Sequence, residues 1–143
     1  MIAVDTNILV YAHRADAEWH DRAKNCIAEL ANGNVSWGLP WHCLSEFFAI
    51  VTHPRVYKPA STTANAIEQI DAWLESPVSQ CLSETDGYWQ NLRSFLIDGR
   101  IEGPMVCDAR IAAICSVHGV VELWSADRDF SRFPGLKVHN PLL

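Results

Sequence analysis

Four acidic residues stand where an acid needs a reason. Asp5 follows the apolar run Ile2-Ala3-Val4. Glu46 lies inside LPWHCLSEFFAIVTH, where most neighbours are apolar or aromatic. Asp108 falls in the first turn of the apolar stretch MVCDARIAAICSV, and Asp127 follows Trp124-Ser125-Ala126. Each has an ordinary reading: Asp5 and Asp127 as helix caps or turn formers, Asp108 as an acid complementing a helix N-terminus, Glu46 on a partly exposed edge. Together they have another. Carboxylates that converge repel and raise each other's pKa unless a cation neutralises them. Oxygen ligands with no His or Cys partner select hard cations such as Mg²⁺ or Mn²⁺. A bound ion of this type lowers the pKa of its water and clamps a phosphate, which is the chemistry of phosphodiester hydrolysis.

Convergence depends on the elements that carry these acids. Ile2 to Val4 reads as a strand, and a short helix begins near Ile8. Helices are expected over Trp19 to Ala31, stopped by Asn32-Gly33-Asn34, and over Trp41 to Thr52, opened by Pro40 and ended by Pro54. Val35 to Trp37 is a candidate strand between them. Ser61 or Thr62 caps a helix with Ile67, Ile70 and Leu74 on one face. Asp86 caps another, with Trp89, Leu92, Phe95 and Leu96 on one face. A helix from Met105 to about Val117 stops at His118-Gly119, and Val120 to Trp124 reads as the last strong strand. Strands alternating with helices imply an α/β sandwich around a mainly parallel sheet. In such sheets ligands gather beyond the carboxyl ends of the strands, where Asp5 and Asp127 lie.

The segments VDTNILVYA, LSEFFAIVTHPRV, CDARIAAICSVHGV and WSADRDFSRFPGLKVHNPL follow one another across essentially the whole chain. In this order they resemble the PIN domain, and more closely the VapC-type ribonuclease toxins of toxin–antitoxin pairs. The resemblance implies a three-layer α/β/α sandwich and a metal-dependent endoribonuclease whose acids are Asp5, Glu46, Asp108 and Asp127. Asn7 and Ser125 match polar positions beside the acids, and Asp129 matches a second acid in the DRDF turn. Trp124-Ser125-Ala126 departs mildly from the family, which commonly has Thr and a polar residue there. Asp5, Asp108 and Asp127 are the first choices as direct or water-mediated ligands, with Glu46 a ligand or the base that orients water. The partners implied are RNA, a small VapB-like antitoxin and a second copy of the chain. An antitoxin Arg or Lys would occupy the acidic crevice, and an apolar antitoxin helix would lie between the helices Trp41 to Thr52 and Trp19 to Ala31.

Composition sets the remaining bounds. The 143 residues, 49% hydrophobic, suffice for one domain over 1–143 with a sizeable core. A net charge of −6 argues against coating nucleic acid by bulk electrostatics. Removing the four site acids from the 17 leaves 13 against 11 bases, which weakens that objection. Arg14, Arg110 and Arg128 are candidate phosphate contacts, while Arg55, Lys58 and Arg132 also lie near the motifs. Trp37, Trp41, Trp89 and Trp124 could stack bases, with core packing the better reading for most. The stripe Ile67, Ile70, Trp73 and Leu74 reads as core first and partner surface second. Five scattered cysteines with no Cys-x-x-Cys pair read as reduced thiols of a cytoplasmic protein. No apolar run reaches membrane-spanning length and no signal peptide is evident. His42, one turn before Glu46, reads as packing rather than a zinc ligand. A phosphatase would want an Asp where Asn7 stands, and a phospho-receiver would want a Lys near the last strands. The rival that remains is a PIN-like RNA-binding or scaffolding module with weak or no catalysis.

Overall fold

In the computed structural model, which describes residues 1–143, five short strands form one fully parallel sheet. They are β1 (Ile2–Val4), β2 (Trp37–Pro40), β3 (Ser79–Leu82), β4 (Glu122–Trp124) and β5 (Lys137–His139). Their order in the sheet is β3-β2-β1-β4-β5, so β1 is central. Ile2 pairs with Trp37 on one side and with Glu122 on the other. The helices are α1 (Thr6–His13), α2 (His20–Ala31), α3 (Trp41–Val51), α4 (Thr63–Leu74), α5 (Tyr88–Asp98) and α6 (Val106–Val117). Right-handed crossovers put α1 to α4 on one face and α5 and α6 on the other, because the winding reverses after β3. The result is a three-layer α/β/α sandwich.

The central strands are buried on both faces, which is why their sequences are apolar runs rather than alternations. Ala3, Val4, Trp37, Leu39 and Leu123 are wholly inaccessible and belong to one cluster of 29 buried residues. Gly38 allows the β2–β3 approach, since a Cβ there would lie 2.7 Å from Leu82 Cδ1 and 3.3 Å from Met1 Sδ. No helix is long and apolar enough to cross a membrane.

Several expectations need correction. The second strand is Trp37–Pro40, not Val35 to Trp37, and Val35 is 71% exposed. Asp86 does not cap α5. Gly87, at φ 89°, holds that position in the left-handed region, and no side chain caps the helix. Thr62 does cap α4, accepting from the Asn65 N–H at 3.1 Å. Trp89 and Ile67 are about half exposed and stand outside the core stripes assigned to their helices. Of the four candidate tryptophans only Trp37 is wholly buried, while Trp41 is also about half exposed. Strands β3 and β5 carry no strong sequence signal. They are the two edges of the sheet, so Ser79, Gln80, Lys137 and His139 can face solvent there.

Candidate active site

The sheet reverses its winding between β1 and β4, and the crevice beyond their carboxyl ends holds the acids. Asp5 continues β1, its backbone N–H donating to Trp124 O at 2.9 Å. Ser125 continues β4 in the same way, its N–H donating to His139 O at 3.0 Å. The sheet thus fixes both residues before their side chains make any contact.

Asp5 is 5% exposed. One carboxylate oxygen, Oδ1, accepts the Thr6 N–H at 2.8 Å and caps α1; the other, Oδ2, accepts the Ser125 hydroxyl at 2.7 Å. The buried Cys43 thiol donates to Oδ1 from 3.8 Å. Burial pushes the Asp5 carboxyl up to about 6; the bonds from Ser125 and Thr6 oppose that rise, while Glu46 and Asp108 add to it. The same burial holds the Cys43 thiol far above its ordinary range, so it acts here as a weak neutral donor.

Ser125 joins the two sides of the crevice. While donating to Asp5, its Oγ accepts the Asp127 N–H at 3.0 Å and the Asn7 amide at 3.4 Å. Asn7 Oδ1 in turn accepts the Ala126 N–H at 3.2 Å. The two polar residues expected beside the acids therefore brace the loop that presents them.

Beyond that loop, Asp127 Oδ1 accepts the Asp129 N–H at 2.8 Å and opens a 3₁₀ turn over Arg128–Arg132. Asp108 sits in the first turn of α6, where the helix dipole favours an acid. Asp108, Asp127 and Asp129 each place a carboxylate oxygen within 4.8 Å of the others. Burial raises the Asp108 carboxyl, and Asp127, Asp129 and Glu46 raise it further against the opposing Arg132. The tightest group therefore includes Asp129, which the sequence reading set beside the acids rather than among them. Glu46, on α3, adds charge to both Asp5 and Asp108 from outside that group.

His42, read from the sequence as packing, stands with its Nε2 3.8 Å from Glu46 Oε2. That nitrogen and Thr6 Oγ1 are the two buried side-chain polar atoms without a hydrogen-bond partner, and both border the acids. The i, i+4 spacing of His42 and Glu46 was the signal for their proximity. The candidate arginines divide. Arg14 is paired with Asp16 at 2.7 Å and lies over the Tyr57 ring, and Arg110 is paired with Glu84 at 2.7 Å. Arg128 is exposed and forms no salt bridge.

An all-oxygen donor set of this density fits a hard divalent cation. A parallel sheet with acids at its switch point narrows the fold, and a family match decides it: residues 2–136 match the PIN domain. This chain belongs to the PIN domain family. Ribonuclease VapC43 of Mycobacterium tuberculosis is 35% identical to this PIN domain over 142 residues, spanning 99% of this chain and 96% of that protein. Ribonuclease VapC48 of the same species is 28% identical over 137 residues, 96% and 94% of the two chains. Among solved structures, Mycobacterium tuberculosis VapC20, a Sarcin-Ricin loop cleaving toxin, superposes with a TM-score of 0.70 at 19% identity, covering 98% of this PIN domain and 100% of that chain. VapBC2 from Rickettsia felis, bound to a DNA fragment from its promoter, gives 0.68 at 23% identity, with 98% of each chain covered. At those identities the superpositions speak for the fold alone.

Proposed function

We propose that this PIN domain is a metal-dependent endoribonuclease that hydrolyses RNA phosphodiester bonds, the toxin of a type II toxin–antitoxin pair. The observation that carries the reading is the group of Asp108, Asp127 and Asp129, with Asp5 and Glu46 within electrostatic reach of it. Five acids at a strand-end crevice are costly to hold together without a cation. Asp108, Asp127 and Asp129 would hold Mg²⁺ or Mn²⁺, with Asp5 closing the buried side and Glu46 the accessible one. Such an ion supplies an activated water and shields the phosphate charge. Glu46, whose side chain is 39% exposed and which adds charge to Asp5 and Asp108, would take a proton from water in the crevice. Ser125 and Asn7 hold the strand-end acids in register. In-line attack by water leaves a 5′-phosphate and a 3′-hydroxyl.

The unpaired Arg128 is the first choice for a phosphate contact. Arg14 and Arg110 would have to leave Asp16 and Glu84 to serve, and they rank after it. Similarity to the VapC ribonucleases supports three further assignments: a small VapB-like antitoxin as partner, a homodimer as the working form, and a cytoplasmic location. The rival reading, a PIN-like RNA-binding or scaffolding module with weak or no catalysis, has no observation of its own in its favour.

The test is cleavage of RNA by the purified protein with Mg²⁺ or Mn²⁺ and with excess EDTA, with the product ends mapped. Cleavage should require the ion, Ca²⁺ should support it poorly, and 5′-phosphates should appear. Undiminished activity in EDTA, or 2′,3′-cyclic phosphate ends, would reject the mechanism. Light scattering on the eluted protein reads the dimer directly.

A further inference from the structure

Beyond the carboxyl ends of β4 and β5, next to the acids, lies a cavity of about 300 Å³. Its walls include Asp127, Arg128, Ser131, Val138, Asn140 and Leu143. We infer that it receives one unpaired nucleobase of the RNA, adjoining the phosphate that is cut, and so sets sequence preference; the choice of occupant rests on the ribonuclease reading.

Three features carry the inference. Asp127 belongs both to the cavity wall and to the acidic group, so a ligand here adjoins the reacting centre. Apart from the Asp127 carboxylate, the polar side chains free to meet a ligand can donate. Asn140 Oδ1 accepts the Leu142 N–H at 3.0 Å, which fixes the orientation of the amide and leaves Nδ2 as a free donor. The Arg128 guanidinium and the Ser131 hydroxyl make no hydrogen bond within the protein. The apolar part of the wall comes from Ala126, Val138 and the 77% exposed Leu143. A flat ring with apolar faces and an acceptor-bearing edge fits this lining, and the adjoining phosphate meets Arg128. A base stacked in a duplex cannot enter, because its edge is already paired.

The experiment measures anisotropy of four labelled hexanucleotides, oligo(A), oligo(C), oligo(G) and oligo(U), with Ca²⁺ present to limit cleavage. Native protein is compared with Ser131→Trp, which fills the cavity from an exposed position. A second variant, Asn140→Asp, keeps the acceptor for the Leu142 N–H and loses the donor. Native protein should separate its best from its worst oligonucleotide by about tenfold, the size of one good base contact. Ser131→Trp should weaken the best by about tenfold, and Asn140→Asp should narrow the spread to within about threefold. Both variants binding all four as the native protein does would overturn the pocket. Native cleavage in Mn²⁺ alongside that result would leave the ribonuclease reading standing. The expected binding pattern without any cleavage would sustain the pocket and sink the nuclease. Native protein that neither binds nor cleaves would overturn both.

Discussion

The two sides of the acidic crevice are built in opposite ways. On one, Asp5 is buried, accepts three donors on its two oxygens and is anchored by the sheet ladder. On the other, Asp108 and Asp127 are only half-buried and Asp129 is exposed. Among their carboxylates only Asp127 accepts a protein hydrogen bond. The fold therefore determines the position of Asp5 completely and leaves the outer acids repelling one another. Such a division suits an ion that must enter from solvent and find one ligand already in place, with the others free to close on it. Only Ser125 is hydrogen-bonded to both sides.

The largest effect expected is on the open side. Asp108→Asn or Asp127→Asn removes a charge from the tight group and should lower cleavage by more than about 100-fold, beyond the roughly 10–100-fold that loss of an outer partner costs a metal site. Thermal stability without metal should hold or rise, because one source of repulsion is gone. A purified Asp127→Asn protein that cleaves at the native rate would remove the outer acids from the site.

On the buried side the consequence is for stability. The Asp5 carboxyl titrates near 3.8 in the unfolded chain and at about 6 in the fold. Well below pH 3.8 both states hold the proton and nothing is lost. As pH rises from about 4 to 6, the unfolded chain releases its proton first, so folding without metal loses up to about 3 kcal/mol. Above pH 6 the loss is constant. Asp5→Asn should lower cleavage by no more than the outer-acid variants do, yet unfold at higher denaturant than native protein at pH 7 in EDTA. That advantage should nearly vanish at pH 3.5. Saturating Mn²⁺ should reverse the pH 7 order by stabilising only the native carboxylate. Equal urea midpoints at both pH values would show that burial of Asp5 costs the fold nothing.

How much of this could be read from the sequence follows the same division. The strands that are buried on both faces announce themselves as apolar runs, so β1, β4 and the acids that follow them were legible. Edge strands need little apolar character, which hid Ser79–Leu82 and Lys137–His139. Capping and a place in the acidic crevice are not alternatives: Asp5 caps α1 and Asp127 opens the 3₁₀ turn, each with one carboxylate oxygen. The closeness of Asp129 to Asp108 depends on that turn, and a two-residue spacing alone does not specify it. The engagement of Arg110 was equally hidden, because Glu84 reaches it from 26 positions away and only the fold brings them together, whereas Arg14 pairs with Asp16 two positions along the chain.

Breaking the connection itself should cost less than removing an acid. Ser125→Ala deletes the donor to Asp5 and the acceptor of the Asp127 N–H, leaving both in place but no longer tied to each other. Mn²⁺ affinity, read by calorimetry, should fall by about 10-fold or somewhat more, the usual cost of removing a group that orients a ligand. Ser125→Thr, which keeps the hydroxyl, should recover most of it. A Ser125→Ala protein with native Mn²⁺ affinity would mean that the two sides are positioned independently.

The smallest effect isolates the third donor to Asp5. A thiol is a weak donor, and at 3.8 Å from Oδ1 the Cys43 contact contributes far less than the Ser125 bond at 2.7 Å. Cys43→Ala removes it together with one buried sulfur, so the predicted loss of stability is modest, about 1 kcal/mol, and mostly from packing. Cys43→Ser separates the two contributions. A hydroxyl is shorter and a stronger donor; if it reaches Oδ1, it stabilises the ionised carboxylate and lowers the pKa of Asp5. The fall in stability between pH 4 and 6 should then shrink in Cys43→Ser and persist in Cys43→Ala. Should the two variants follow the same pH curve, the thiol is packing only, and the buried side of the crevice rests on Thr6 and Ser125 alone.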